Sequence, residues 1–256
     1  MTQAFRNASN LKSIDLSSFD TSALIRATGL FRGCTSLTSI DLSNFDTRNV
    51  EKMDYMFYNC GALESITFGE NFKVGNVDTM SFMFYHCSSL KSIDVSNWGE
   101  ASRLYYVNNL FNGCASLTEF DSTGFIASPT DMGYMFNGCT NIVSINLSSF
   151  TRTGIARYQR LMCDCVHLKE AFIPNFDLSR FTDLNASANN PGRSEMFKNV
   201  GTQTNNGCDI YVNEVSYLSI TEKNAGGYDP TYHHFRTPEG ELWSDVLNND
   251  DAVTEE

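Results

Sequence analysis

The hydrophobic positions of the chain fall on a lattice of about 26 residues. Phe5, Phe31, Phe57, Phe84, Phe111, Phe136 and Met162 fill one slot, at spacings of 26, 26, 27, 27, 25 and 26. Three residues on come Ala8, Cys34, Cys60, Cys87, Cys114, Cys139 and Cys165. Leu11, Leu37, Leu63, Leu90, Leu117, Ile142 and Leu168 follow, then Ile14, Ile40, Ile66, Ile93, Phe120, Ile145 and Ala171. Seven units in register define a repeat array, in which each unit buries its apolar face only against its neighbours.

Each unit carries two periods. The Leu-x-x-Ile-x-Leu half ends in period two, which predicts a short strand with one buried face. The half before it looks helical. Val50, Met53, Phe57 and Cys60 sit at i, i+3, i+7 and i+10, one stripe of a helix. Leu24, Ala27, Phe31 and Cys34 repeat the stripe, as do Val77, Met80, Phe84 and Cys87, and Leu104, Val107, Phe111 and Cys114. Pro129, Met132, Phe136 and Cys139 fit, with Pro129 in the first turn, and so do Ile155, Tyr158, Met162 and Cys165. Asp20-Thr21 and Asp46-Thr47 stand where helix caps are needed. Strand, turn, helix and turn at this period predict an α/β solenoid, a leucine-rich repeat horseshoe with parallel concave strands and convex helices.

The spacing divides the chain into three parts. Residues 1–178 form the array of about seven units. Residues 179–238 hold a last, irregular repeat with an insertion at 185–195, and a C-terminal cap. Residues 239–256 form an acidic tail. In the middle part, 208–212 predicts a last strand, 213–224 a closing helix and 228–243 an aromatic cover over the core. At the front, residues 1–8 read as the last turn of a helix without a polar cap. Phe5, Leu11, Ile14 and Leu16 are therefore expected to form an N-terminal docking edge for a neighbouring subunit.

The segments Ile40-Asp-Leu-Ser-Asn-Phe45-Asp-Thr47 and Met53-Asp-Tyr-Met56-Phe-Tyr-Asn-Cys60 recur along the chain. In this they resemble the BspA-like leucine-rich repeat family. The resemblance covers roughly residues 5–178. It implies a surface-displayed repeat protein of a microbe or its virus, of a kind often associated with adhesion.

Composition narrows the function. Of 256 residues, 30 are acidic and 18 basic, so the formal charge is −12, which disfavours nucleic acid. Seven of the acidic residues lie from Glu239 onward, where there is no Lys or Arg. No apolar run reaches the length of a membrane span, so membrane insertion is not expected. No signal peptide is visible in residues 1–7. The expected place is a cell surface, the extracellular space or a virion.

Six of the eight cysteines share one slot, which predicts a file of buried thiols; neighbouring helices would sit too far apart for disulfides. Cys163-x-Cys165-x-His167 is read as core rather than zinc, and no metal or cofactor is expected. No nucleophilic triad, phosphate loop or HExxH motif is present, and the chain is expected not to be an enzyme.

The outward strand positions are the candidate site. One column holds Asp15, Asp41, Thr67, Asp94, Asp121 and Asn146; its neighbour runs from Ser13 through Glu119 to Glu170. Asp15, Asp41, Asp94, Asp121, Asn146, Glu119 and Glu170, with Phe172 as a hot spot, are expected to bind a protein or glycan. Calcium held by the Asp column and simple service to the adjoining turns are the competing readings. The expected function is a recognition or adhesion module. The alternative is a structural subunit, such as a virion decoration, fibre or appendage component.

Overall fold

The computed structural model describes residues 2–151, 157–176, 195–212 and 229–246. The nine strands are β1 (Ser39–Leu42), β2 (Ser65–Phe68), β3 (Gly99–Ala101), β4 (Glu119–Asp121), β5 (Phe125–Ala127), β6 (Ser144–Asn146), β7 (Glu170–Phe172), β8 (Cys208–Tyr211) and β9 (His233–Arg236). They pair in parallel as β1-β2, β3-β5 and a five-stranded sheet β4-β6-β7-β8-β9. The register follows the repeat: Ile40 pairs with Ile66, and Phe120 with Ile145, Ala171, Ile210 and Phe235 in turn.

The fold is a parallel β-solenoid, and the horseshoe with convex helices is corrected. Among the described residues the only helix is a single turn at 243–246. No helix there is long and apolar enough to cross a membrane. The stripes assigned to helices are chains of tight turns. In the second coil, Leu30, Arg32 and Cys34 each donate an N–H to the carbonyl three residues back, at 3.1–3.2 Å. The residues between them bond outward: Gly29, Phe31 and Gly33 donate to Asp54, Met56 and Tyr58 of the next coil at 2.8–2.9 Å. Val50, Met53, Phe57 and Cys60 are buried as the stripe requires, but no helix holds them.

Two residues per coil forbid a helix. The positions two before and two after the Phe slot have positive φ, as at Gly29 (60°) and Gly33 (75°), Tyr55 (59°) and Asn59 (58°), Phe82 (60°) and His86 (56°). A right-handed helix cannot contain left-handed residues four apart. Each one sits third in a tight turn, the place where a type II turn needs positive φ. The residues Asp20 and Asp46 cap turns instead of helices: Asp20 Oδ1 accepts the Ser22 N–H at 2.9 Å, and Asp46 Oδ1 that of Arg48 at 3.1 Å. Thr21 and Thr47 tie coil to coil, each hydroxyl accepting an N–H from the coil beyond (Asp46 at 2.8 Å, Lys73 at 2.7 Å).

The core is a set of columns. Phe5, Phe31, Phe57, Phe84, Phe111 and Phe136 stack in one file, with ring centroids 5.3–5.6 Å apart and planes within 15°. At the far end the expected aromatic cover is in part another strand: β9 pairs with β8, and the Trp243 indole N–H donates to Val212 O at 3.1 Å. His233 is buried there, its Nδ1 accepting the Asp229 N–H at 2.9 Å and its Nε2 3.2 Å from Val200 O. Only the neutral ring suits both contacts, and burial pushes its pKa down to about 4. The predicted helix at 213–224, most of the insertion at 185–195, and residues 247–256 of the tail lie outside the described residues.

Far-UV circular dichroism is expected to show a β-rich spectrum without the helical double minimum. Phe84→Ala is expected to lose about 3–5 kcal/mol in chemical denaturation, and exposed Ser92→Ala less than about 0.5 kcal/mol. Acid is expected to weaken the C-terminal end. Below about pH 6.5 an unfolded His233 binds a proton that the folded one refuses until about pH 4. Stability therefore falls as pH drops through that window, and His233→Gln flattens the fall.

Candidate recognition face

The strand residues alternate between core and surface, which sets two outward columns side by side. In the five-stranded sheet one row runs Asp121, Asn146, Phe172, Tyr211 and Arg236, and the other Glu119, Ser144, Glu170, Asp209 and His234. The sheet thus brings together Glu119, Asp121, Asn146, Glu170 and Phe172 from the predicted set. Asp41 lies on the separate β1-β2 pair, and Asp15 and Asp94 lie outside the assigned strands.

The Asp column serves its own turns. Asp15, Asp41, Asp94 and Asp121 each accept the N–H two residues on through Oδ1 at 2.8–2.9 Å. Asn146 does the same for Ser148 at 2.9 Å and donates its amide to Asp121 Oδ1 at 3.0 Å. These are Asx turns. Bonds from the Ser17, Ser43 and Ser96 side chains and backbone hold the carboxyls of Asp15, Asp41 and Asp94 below the usual range. Among the described residues no group of three or more His, Cys, Asp or Glu side chains is arranged to hold a metal ion.

Chemical variety gathers at the C-terminal part of the face. The rings of Phe172 and Tyr211 stack with centroids 4.0 Å apart. Asp209 pairs with Arg236 at 2.9 Å and lies 3.5 Å from His234 Nδ1. Of these residues only Phe172 was singled out from sequence. Tyr211 and Asp209 belong to the strand predicted at 208–212, and their alternation with buried Cys208 and Ile210 is the signal that could have found them.

The residues of the predicted N-terminal edge pack on the first coils. Leu16 is buried, Phe5 stacks on Phe31 at 5.3 Å, and Phe5, Leu11 and Ile14 are partly buried against the core.

The cysteine file is real, and all eight thiols are free and buried. Its coils are stacked strand-like rather than at helix spacing, so the distance argument against disulfides does not apply. Each of the six thiols in the file is instead committed. Cys34, Cys60, Cys87, Cys114, Cys139 and Cys165 donate to the carbonyls of Phe5, Phe31, Phe57, Phe84, Phe111 and Phe136 at 3.1–3.2 Å. Each of these carbonyls also accepts the N–H three residues ahead in its own coil. Burial pushes the Cys60 thiol up to about 12, and those of Cys87, Cys114 and Cys139 well above their ordinary range. His167 turns to a backbone partner, with Nδ1 2.7 Å from Thr140 O.

Comparison with known families gives matches over residues 1–125 and 100–206 to the model described as "Mycoplasma protein of unknown function, DUF285". Together they span 206 of the 256 residues and most of the coil array. None of the curated proteins compared with the chain matches it.

Ellman's reagent at pH 8 is expected to leave Cys60, Cys87, Cys114 and Cys139 unreacted, and to modify all eight cysteines in denaturant. An unfolded thiol ionises near pH 8.5, well below the folded Cys60 at about 12. Between those values the unfolded chain has shed protons that the folded chain keeps. Stability is therefore expected to fall from about pH 8.5 upward, and the Cys87→Ala/Cys114→Ala variant to fall less steeply.

Proposed function

We propose that this chain, which belongs to the family described as "Mycoplasma protein of unknown function, DUF285", is a non-enzymatic recognition or adhesion module of the BspA-like surface type. It is displayed on a cell or virion surface and binds a protein or glycan through the outward face of β4-β6-β7-β8-β9. The observation that carries this reading is the change in chemistry along the strand columns. The β1-β2 pair presents small polar groups, Ser39 and Ser65 beside Asp41 and Thr67. The five-stranded sheet presents a stacked aromatic pair, carboxylates, a guanidinium and an imidazole within adjacent rows.

Service to turns explains an Asp or Asn at the head of each turn. It does not call for Phe172 and Tyr211 in the same column, half-buried and side by side. Paired aromatics with a satisfied Arg at their edge are the composition of binding hot spots. The columns keep one register, so the face is fixed before a partner arrives, and little ordering entropy is lost on binding.

The test is an array of purified proteins and glycans probed with the whole chain. At least one component is expected to bind, with roughly tenfold or greater loss for Phe172→Ala/Tyr211→Ala. Tyr58→Ala, on the turn face, is expected to bind as the parent does. A flat array, or binding that ignores the Phe172/Tyr211 change, overturns the proposal.

A further inference from the structure

We infer that the polar groove beside the starts of β7 and β8 is a binding site for a neutral oligosaccharide. This rests on the recognition reading and supplies its ligand class. Two depressions of about 340 and 390 Å³ share Lys169, Thr204 and Asn205. Asn206, Gly207 and Asp209 complete one, and Asn141, Val143, His167 and Gln203 the other. Each is large enough for a sugar residue and within the usual size of ligand sites.

The groove wall is a rigid loop with idle side chains. Gly201 and Gln203 donate their N–H groups to Cys165 and Val166 of the preceding coil, at 3.1 and 2.8 Å. The Thr204 hydroxyl lies 2.9 Å from Gly201 O and 2.6 Å from Gly207 O, spanning the loop from within. Gly207 has φ 73°, and a Cβ there would meet Tyr232 O at 2.6 Å. Yet among the described residues no hydrogen bond or ion pair engages the side chains of Asn141, Gln203, Asn205, Asn206 or Lys169. Elsewhere the fold uses such amides as ties. Asn44, Asn49, Asn76 and Asn175 each donate to a carbonyl of the preceding coil at 2.7–2.9 Å.

Four free amides present donor and acceptor in pairs, which is the complement of adjacent sugar hydroxyls. The lining is mostly neutral: Asp209 is paired with Arg236 at 2.9 Å, which leaves Lys169, without an ion pair among the described residues, beside amide and hydroxyl groups. Geometry selects against an extended peptide. β7 lies between β6 and β8, and β8 between β7 and β9, so neither offers an edge to an added strand. The Phe172–Tyr211 pair lies further along the same two strands and offers ring surface to sugar C–H groups.

The experiment is a titration of the full chain, followed by NMR, with chitotetraose, cellotetraose and mannotetraose, and with tetragalacturonate as the acidic control. At least one neutral probe is expected to bind at millimolar concentration or below. Asn205→Ala/Asn206→Ala, both at exposed positions, is expected to weaken it by roughly tenfold with the melting temperature unchanged. The inference is overturned if no neutral probe binds, if only tetragalacturonate does, or if the double variant binds as the parent does. A protein ligand found on the array and sensitive to Phe172 and Tyr211, with no neutral probe bound, would overturn this inference and leave the recognition reading standing.

Discussion

No coil of this chain can satisfy its own backbone. On the turn face, every second N–H goes to the next coil, as Gly29, Phe31 and Gly33 bond to Asp54, Met56 and Tyr58. On the strand face the direction reverses: Glu64 donates to Thr38 O, Lys91 to Glu64 O and Thr118 to Lys91 O, at 2.8–3.3 Å. A buried amide left without a partner costs as much as a lost hydrogen bond or more. Register is therefore imposed on both sides of every coil, and the side-chain columns follow from it. Phe stacks on Phe and the thiol of one coil reaches the carbonyl of another because the backbone has already fixed which residues meet.

The repeat, its period and the buried slots were legible because burial leaves a pattern whatever the backbone does. Phe84, Cys87 and Leu90 are as buried as the spacing requires. The element between them was misread for a physical reason. Successive tight turns advance the chain by two and three residues, so buried side chains recur at three and seven, the steps that also mark a helix. The distinguishing signal was present. The position two after the Phe slot is occupied by Asn7, Gly33, Asn59, His86, Gly113, Gly138, Asp164 and Asn199. These are the residue types that tolerate a left-handed backbone, and helix formers are missing from that column. At Tyr55, Phe82 and Tyr134 the same conformation is held by bulky residues, which conceals the signal in the other column.

The candidate face was legible in part. The Asp, Ser and Asn columns could be read by counting from the buried Ile positions, because alternation in a strand is strict. Their local duty, closing Asx turns, was foreseen as a competing reading and accounts for each Asp in the column. Asp209, Tyr211 and the amides of the 203–207 loop were harder to place. They follow an irregular stretch where counting by 26 fails, and a groove assembled from three coils has no linear motif. Only the stacking shows that Asn141 and Asn205, 64 positions apart in the chain, line one depression.

The equivalence of the coils has a consequence for how such a gene can change. A coil of 25 to 27 residues meets both neighbours through the same columns, so cutting one out, or copying one in, rejoins Phe to Phe and thiol to carbonyl. Unequal crossing-over within the coding sequence would lengthen or shorten the array without disturbing what remains. The distance between its two ends is thus free to drift by recombination, while the surface near its C-terminal end is inherited intact.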